Sequence, residues 1–307
     1  MKTGTSCAAV LVIACLALPV DAGAQQPQGL KQLTSDPAQD GFPQWSPDGE
    51  SIVFSRYGGD EAPGRNGLYL VSPDGGEPQR LTTLLGEHPH WSPDGHYIAF
   101  DGDFGNRIQL VAAAGGTPIR IVPESIRVLH GGQPKWSPDG SRIAFKGGSD
   151  LWVLDLATGS FDMVFTEPGK VAVPTCWSLD GKEIYVTMRE AHSPNSSIWA
   201  ISSVGPGKRK LTPEKEGVYR YADLSPDGSL LAVVWCEDRR DCDVWVMSST
   251  GGNRVQITSH PEYDDGPAWS PDGTRIAFVS TRSGNFDIWT VEVDVDRVRH
   301  ELLNPDQ

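Results

Sequence analysis

The apolar positions of this chain fall in short runs punctuated by Gly, Pro, Asp and Ser. One set of runs covers Ser51–Ser55, Tyr97–Phe100, Arg142–Phe145, Glu183–Thr187, Leu230–Trp235 and Arg275–Val279. A second set follows after polar or Gly-rich breaks, at Gly67–Val71, Arg107–Val111, Asp150–Leu154, Ser197–Ile201, Asp243–Met247 and Phe286–Val291. Apolar runs this short, bounded by turn residues, predict strands. Gly-rich turns such as Asp74-Gly75-Gly76 and Ala114-Gly115-Gly116 then lead to a brief outer strand ending near Leu81-Thr82, Leu211-Thr212 or Ile257-Thr258. Two segments, Leu30–Thr34 and Arg299–Leu303, both fit the outer edge of the last unit. The expectation is that the N-terminal segment completes that unit and locks the ring, with the C-terminal one lying beside it or frayed. No helix is expected.

A repeat organises these strands. Trp-Ser-Pro-Asp-Gly occurs at Trp45–Gly49, Trp91–Gly95, Trp136–Gly140 and Trp269–Gly273, with degenerate copies at Trp177–Gly181 and Leu224–Gly228. The copies start 46, 45, 41, 47 and 45 residues apart, which is the length of a four-stranded propeller blade. Within the motif, Pro presets φ near −65°, Asp accepts local backbone N–H groups, and Gly takes positive φ, which is turn chemistry between the first two strands. Trp45, Trp91, Trp136, Trp177 and Trp269 present large apolar faces suited to wedging between blades, and Asp48, Asp94, Asp139, Asp180, Asp227 and Asp272 hold the turns. Residues repeated in every unit are structural, since a catalytic site needs one set. The fold class that follows is all-β, a six-bladed β-propeller of four-stranded antiparallel blades spanning residues 25–307.

The succession Trp-Ser-Pro-Asp-Gly, Ile-Ala-Phe, Asp-Ile-Trp and Leu-Thr resembles the WD40-like (PD40) repeats of the TolB family, over about residues 28–303. That resemblance implies a six-bladed propeller and, by analogy, protein binding in the cell envelope. Complete members carry an α/β domain before the propeller, whereas here a short Gln/Pro-rich stretch, Gln25–Gly29, precedes the first blade. The chain looks like a stand-alone propeller, and any Tol–Pal role is an analogy.

The N-terminus changes where the protein is expected to work. Lys2 followed by the apolar stretch Cys7–Val20 and the small-residue site Ala22-Gly23-Ala24 reads as a signal peptide over residues 1–24, cut before Gln25. Val12-Ile13-Ala14-Cys15 keeps open a lipoprotein anchored at Cys15. The product is then periplasmic or secreted, and no later segment is long and apolar enough to cross a bilayer. In an oxidising compartment, Cys236 and Cys242 flank one hairpin loop and can form a disulfide. The net charge of −14 repels phosphate backbones and anionic lipid surfaces, so nucleic acid is not an expected partner.

No Gly-x-Ser-x-Gly elbow, P-loop, His-Glu-x-x-His or EF-hand loop is present, and no catalytic residue or cofactor is assigned. Propellers carry function in the loops entering the innermost strands. Those stretches differ between blades, and the candidate binding residues are Asp40, His88, His90, His130, Lys135, Arg220, Tyr263, Asp264 and Asp265. His88 and His90 are expected on one strand face, and Asp264-Asp265 as a solvated pair. The first expectation is a monomeric, non-catalytic scaffold that binds an envelope protein or peptide at the channel mouth. The alternative is a metal-dependent carbohydrate lyase or hydrolase using the His cluster, with His130 contributed by the next blade.

Overall fold

A computed structural model describes residues 27–305, apart from 60–61, 103–106, 127–131, 214–216 and 238–240. The signal peptide, Cys15 and His130 therefore lie outside the described residues. What is described is antiparallel sheet, apart from one parallel pair, with one α-helix and a single 3-10 turn at Pro63–Arg65. Each repeat folds as consecutive antiparallel strands. The first is Gln39–Trp45, Ile52–Tyr57, Gly67–Val71 and Gln79–Arg80, and the second Gly86–Trp91, Tyr97–Gly102, Arg107–Ala112 and Ile119–Arg120. The third runs from Lys135–Trp136 to Phe161–Phe165, the fourth from Lys170–Trp177 to Lys208–Lys210, and the fifth from Val218–Leu224 to Arg254–Gln256.

By hydrogen bonding these strands form four sheets of four strands and one of eight. A single parallel pair, Ser196 with Val218, joins the fourth and fifth repeats into the larger sheet. The sheets are open, and none closes on itself. The sixth, Asp264–Trp269, Arg275–Ser280 and Asp287–Glu292, takes its outermost strand from the N-terminus: Lys31 pairs with Thr290 and Gln32 with Trp289. Thr34 extends this contact: its hydroxyl accepts the Ile288 backbone N–H at 2.9 Å, and its own N–H donates to the Ile288 carbonyl at 3.4 Å. The first strands of successive repeats neighbour one another, and that of the sixth lies against that of the first.

The repeat motif explains both turn and core. Each motif Ser donates its hydroxyl to the motif Asp at 2.5–2.8 Å and accepts the backbone N–H five residues on at 2.9 Å. The motif glycines sit at φ of 67–74°, a region costly for a residue with a Cβ. The five motif Trp side chains are buried, and each packs on the repeat before it in the cycle. Trp45 meets Ala277 and Ile288 of the sixth, Trp91 meets Val53 and Leu68 of the first, and Trp177 meets Ala144 and Val153 of the third. The cores are thus interfaces between repeats, and truncating one such Trp costs about 3–5 kcal/mol.

The C-terminal segment differs from expectation. Arg299–Leu303 is not a strand but the end of helix α1, Val295–Leu303. Asp294 caps it by accepting the Arg297 N–H at 2.9 Å. Val295, Val298 and Leu302 recur at helical spacing and pack on the core between the fifth and sixth repeats, with Val298 fully buried. The Lys31–Gln32 strand already occupies the sheet edge, so the chain's last segment meets the core with a helical stripe instead.

Candidate functional site

The site begins with a bulge. The innermost strands of the first, second, fourth, fifth and sixth repeats shift register just before the motif, between Gly41 and Gln44, Glu87 and His90, Pro174 and Cys176, Arg220 and Ala222, and Asp265 and Ala268. A bulge re-aims a side chain. Here Phe42, His88, Gln133 and Tyr221 take left-handed backbone conformations at φ of 55°, 49°, 47° and 42°, with Gly266 at 59° in the sixth repeat. All but Tyr221 precede a Pro, which itself disfavours α-type conformations for the residue before it. Non-glycine residues held there cost on the order of 1–3 kcal/mol each and concentrate at functional sites.

The re-aimed rings meet. Phe42 and His88 lie 3.9 Å apart between centroids, Phe42 and Tyr221 6.0 Å, and His88 and Tyr221 6.2 Å. They form an aromatic plug. Buried polar contacts brace it from behind. His88 Nδ1 lies 2.9 Å from Asp101, and the Gln133 N–H donates to the same carboxylate at 2.9 and 3.1 Å. Arg56 grips Asp40 with two bonds of 2.7 and 2.8 Å, and Arg282 reaches Asp264 at 2.7 Å. Burial pushes the Asp40 carboxyl up against the opposing pull of Arg56.

Above the plug opens a mouth of about 710 Å³, with Phe42, Tyr221, Tyr57, Leu85, Val279 and Phe286 as its apolar lining. Asp40, Glu87, Glu262 and Asp265 supply carboxylates. On one wall Arg220 donates to the Tyr263 hydroxyl, which donates to Asp265, and the Arg220–Asp265 separation is 3.7 Å. Burial pushes the Asp265 carboxyl up, and burial with the Asp265 charge keeps the Tyr263 phenol protonated. Arg220 and Tyr221 also line a second hollow of about 440 Å³ with Gln133, Val173, Thr187, Arg189, Ser193 and Ser196.

Below the plug the axis narrows to a gap of about 30 Å³ lined by His88, Gln44, Lys135, Thr175 and Asp223. Burial pushes Asp223 up to about 6 although it accepts the Trp269 N–H at 2.7 Å, and burial lowers Lys135 and His90.

The candidate residues therefore separate. Asp40, Arg220, Tyr263 and Asp265 line the mouth. His88 belongs to the plug, and Lys135 lies beneath it. His90 is parted from His88 by the bulge, and its Nδ1 accepts the Trp136 N–H at 3.3 Å, so the two do not share a face. Asp264 and Asp265 are no solvated pair: Asp264 is fully buried on Arg282, while Asp265 faces Arg220. Cys236 and Cys242 form a disulfide of 2.07 Å. Among the described residues no group of three His, Cys, Asp or Glu is arranged to hold a metal ion. Phe42, Gln133 and Tyr221, in the same channel-mouth loops as the candidates, also line the site, as do Thr187 and Arg189, which lie outside those loops. A signal for Phe42 and Gln133 is the x-Pro that stands two residues before the motif Trp in four of the six repeats.

Residues 176–304 match the TolB beta propeller domain. The fold is a TolB-like propeller. The TolB of Anaeromyxobacter dehalogenans, a Tol-Pal system protein, is 36% identical over 128 residues, which are 40% of this chain and 27% of that protein. An uncharacterized protein of Agrobacterium fabrum is 31% identical over 118 residues, 38% of this chain and 39% of its own length. The chain thus spans less than half the length of these curated relatives. Among solved structures, one assigned to TolB from Agrobacterium tumefaciens aligns with a TM-score of 0.63 at 20% identity, covering 86% of this chain and 96% of that one. An oligogalacturonate lyase in complex with manganese aligns at 0.59 and 16% identity, covering 89% and 96%. At these identities the structures speak to fold alone.

Proposed function

We propose that the protein is a non-catalytic, exported binding scaffold, a six-bladed TolB-like propeller whose N-terminal strand joins its last blade, and that its mouth holds an extended segment of an envelope protein. The observation that carries this reading is the aromatic plug. It turns the axis into a blind pocket with an aromatic floor and polar walls, the make-up of a recognition site. The backbone holds Phe42, His88 and Tyr221 in costly conformations, which supports a use for their side chains beyond packing. The likeness to a Tol-Pal system protein supports a location in the envelope, and a monomer fits a molecule whose repeats cover one another's cores.

The test is site-specific photocrosslinking in envelope extract. A crosslinker at Tyr57, beside the mouth, is expected to capture one protein, with the crosslink lost in a Phe42→Ala/Tyr221→Ala variant. A crosslinker at Ile119, exposed at an outer strand, serves as control. Equal capture from both positions would remove the mouth from the account.

A second reading, a metal-dependent carbohydrate lyase, is favoured by the likeness to the manganese-bound lyase. Against it, His90 is parted from His88 by the bulge and its Nδ1 is turned to the Trp136 N–H. Stoichiometric manganese binding lost on His88→Ala would revive it.

A further inference from the structure

The mouth has two halves of opposite character. The larger half carries Glu87, Glu262 and Asp265 among aromatic residues, with Asp40 buried on Arg56 at its wall. The smaller is lined by Arg189 and Arg220 with Gln133, Thr187 and Ser193, and among the described residues no carboxylate lines it. In a chain with 40 acidic and 26 basic residues, two arginines converging on a hollow with no described lining acid depart from the surrounding field.

The arginines are positioned to receive a ligand. Arg189 is exposed, and its Nη1 donates to the carbonyls of Glu190 and Ala191 at 3.3 and 3.0 Å. Those bonds orient the guanidinium, and among the described residues it has no carboxylate in ion-pair range. Arg220 meets Asp265 at 3.7 Å, longer than a fork-to-fork pair, and lines both halves. Behind the hollow, burial lowers the Lys146 ammonium, Asp101 opposes that shift and Arg189 adds to it. Among the described residues Thr187 Oγ1 is buried without a hydrogen-bond partner.

We infer that the smaller half is a carboxylate subsite, and that the mouth reads an extended peptide by charge, with an Asp or Glu side chain between Arg189 and Arg220 and a basic or aromatic residue in the acidic half. This rests on the reading of the mouth as a peptide site. A polypeptide fits both halves because neighbouring side chains can carry opposite charges, whereas a uronic-acid oligosaccharide matches only the basic half. Arg220 and Tyr221, shared by both halves, place the two anchors close together along the peptide.

Panning a phage-displayed random peptide library on the full chain and on Arg189→Glu tests this. On the wild type, enriched peptides are expected to pair an acidic residue with a nearby Lys, Arg or aromatic residue. Changing that acidic residue to Gln or Asn is expected to weaken binding about tenfold, and the loss should shrink as salt is raised. Arg189→Glu is expected to exchange the acidic preference for a basic one, and Arg189→Lys to retain it. Because Arg189 is exposed, an unchanged melting temperature checks that each variant folds. Enriched peptides lacking an acid, or indifferent to Arg189→Glu, overturn the charge inference and leave the mouth a peptide site. If no enriched peptide depends on Tyr221, tested by Tyr221→Ala, the peptide reading itself falls. Retention of oligogalacturonate in place of peptide overturns both.

Discussion

Replacing Gln133 by Gly should stabilise this protein, against the usual direction for glycine. Gln133 sits at φ 47° and precedes Pro134. A residue with a Cβ in the left-handed region gives up about 1–2 kcal/mol, and the following Pro does nothing to relieve it. The contact that fixes this position is the backbone N–H to Asp101, at 2.9 and 3.1 Å, which glycine keeps. Among the described residues the Gln133 side chain makes no hydrogen bond that would be lost. Against the gain stands the greater freedom of glycine in the unfolded chain, about 0.5–1 kcal/mol. The net is a gain of about 0–1.5 kcal/mol, or up to roughly 6 °C in melting temperature for a chain of this size. Gln133→Val is the contrasting variant. A β-branched residue is an outlier at this φ, and it should lower stability by about 1–2 kcal/mol. Thermal unfolding followed by circular dichroism separates the three proteins. A Gly variant that melts below the wild type, or a Val variant that matches it, would refute the claim that backbone strain is stored at the plug.

Three further outcomes are expected. Arg282→Met leaves the fully buried Asp264 without its cation and should cost about 3–5 kcal/mol in urea unfolding, with partial recovery on adding Asp264→Asn; a loss under 1 kcal/mol would contradict the ion pair's role. Burial raises Asp223 from 3.8 to about 6 in the folded state, so the unfolded chain releases this proton first and the folded state is penalised as pH rises through that window. Asp223→Asn should therefore gain stability relative to the wild type as pH rises from 3.8 to about 6, by at most about 3 kcal/mol (two units at about 1.4 each), with no further gain above; a relative gain that shrinks with pH would be the wrong sign. Cys236→Ser/Cys242→Ser opens a loop closed over a separation of 6 residues and should cost about 2 kcal/mol on the chain-entropy estimate, read from the denaturation midpoint.

Much of the fold could be read in the residues because the repeat is local chemistry. Ser-Pro-Asp-Gly closes its own turn within five residues, so Trp45, Trp91, Trp136 and Trp269 announce the units before any long-range contact is known. Even the strand supplied by the N-terminus followed from counting edges. The C-terminus escaped that count. Arg299–Leu303 looked like an edge strand in isolation, and only with Val295 and Val298 included does its apolar spacing become helical.

The site was legible by region and not by residue. The loops before each motif supply much of the candidate mouth, with Arg220, Tyr263 and Asp265 among its lining. His88, Lys135 and Asp264 are of similar polarity in sequence, yet they stand in the plug, beneath it and behind it. A polar residue's type says that it needs a partner, and only the neighbouring strands decide whether that partner is a buried Arg282 or a ligand. Thr187 and Arg189 gave no signal at all, because they end the second strand of the fourth repeat, and the hollow they line exists only where the third and fifth repeats supply Gln133, Arg220 and Tyr221.

The sequence by itself determined the period, the strands and their turns, since these depend on residues within a few positions of one another. The tertiary structure alone decided the direction of the inner side chains, because a bulge in the inner strand of five repeats breaks the two-residue alternation from which direction is otherwise read.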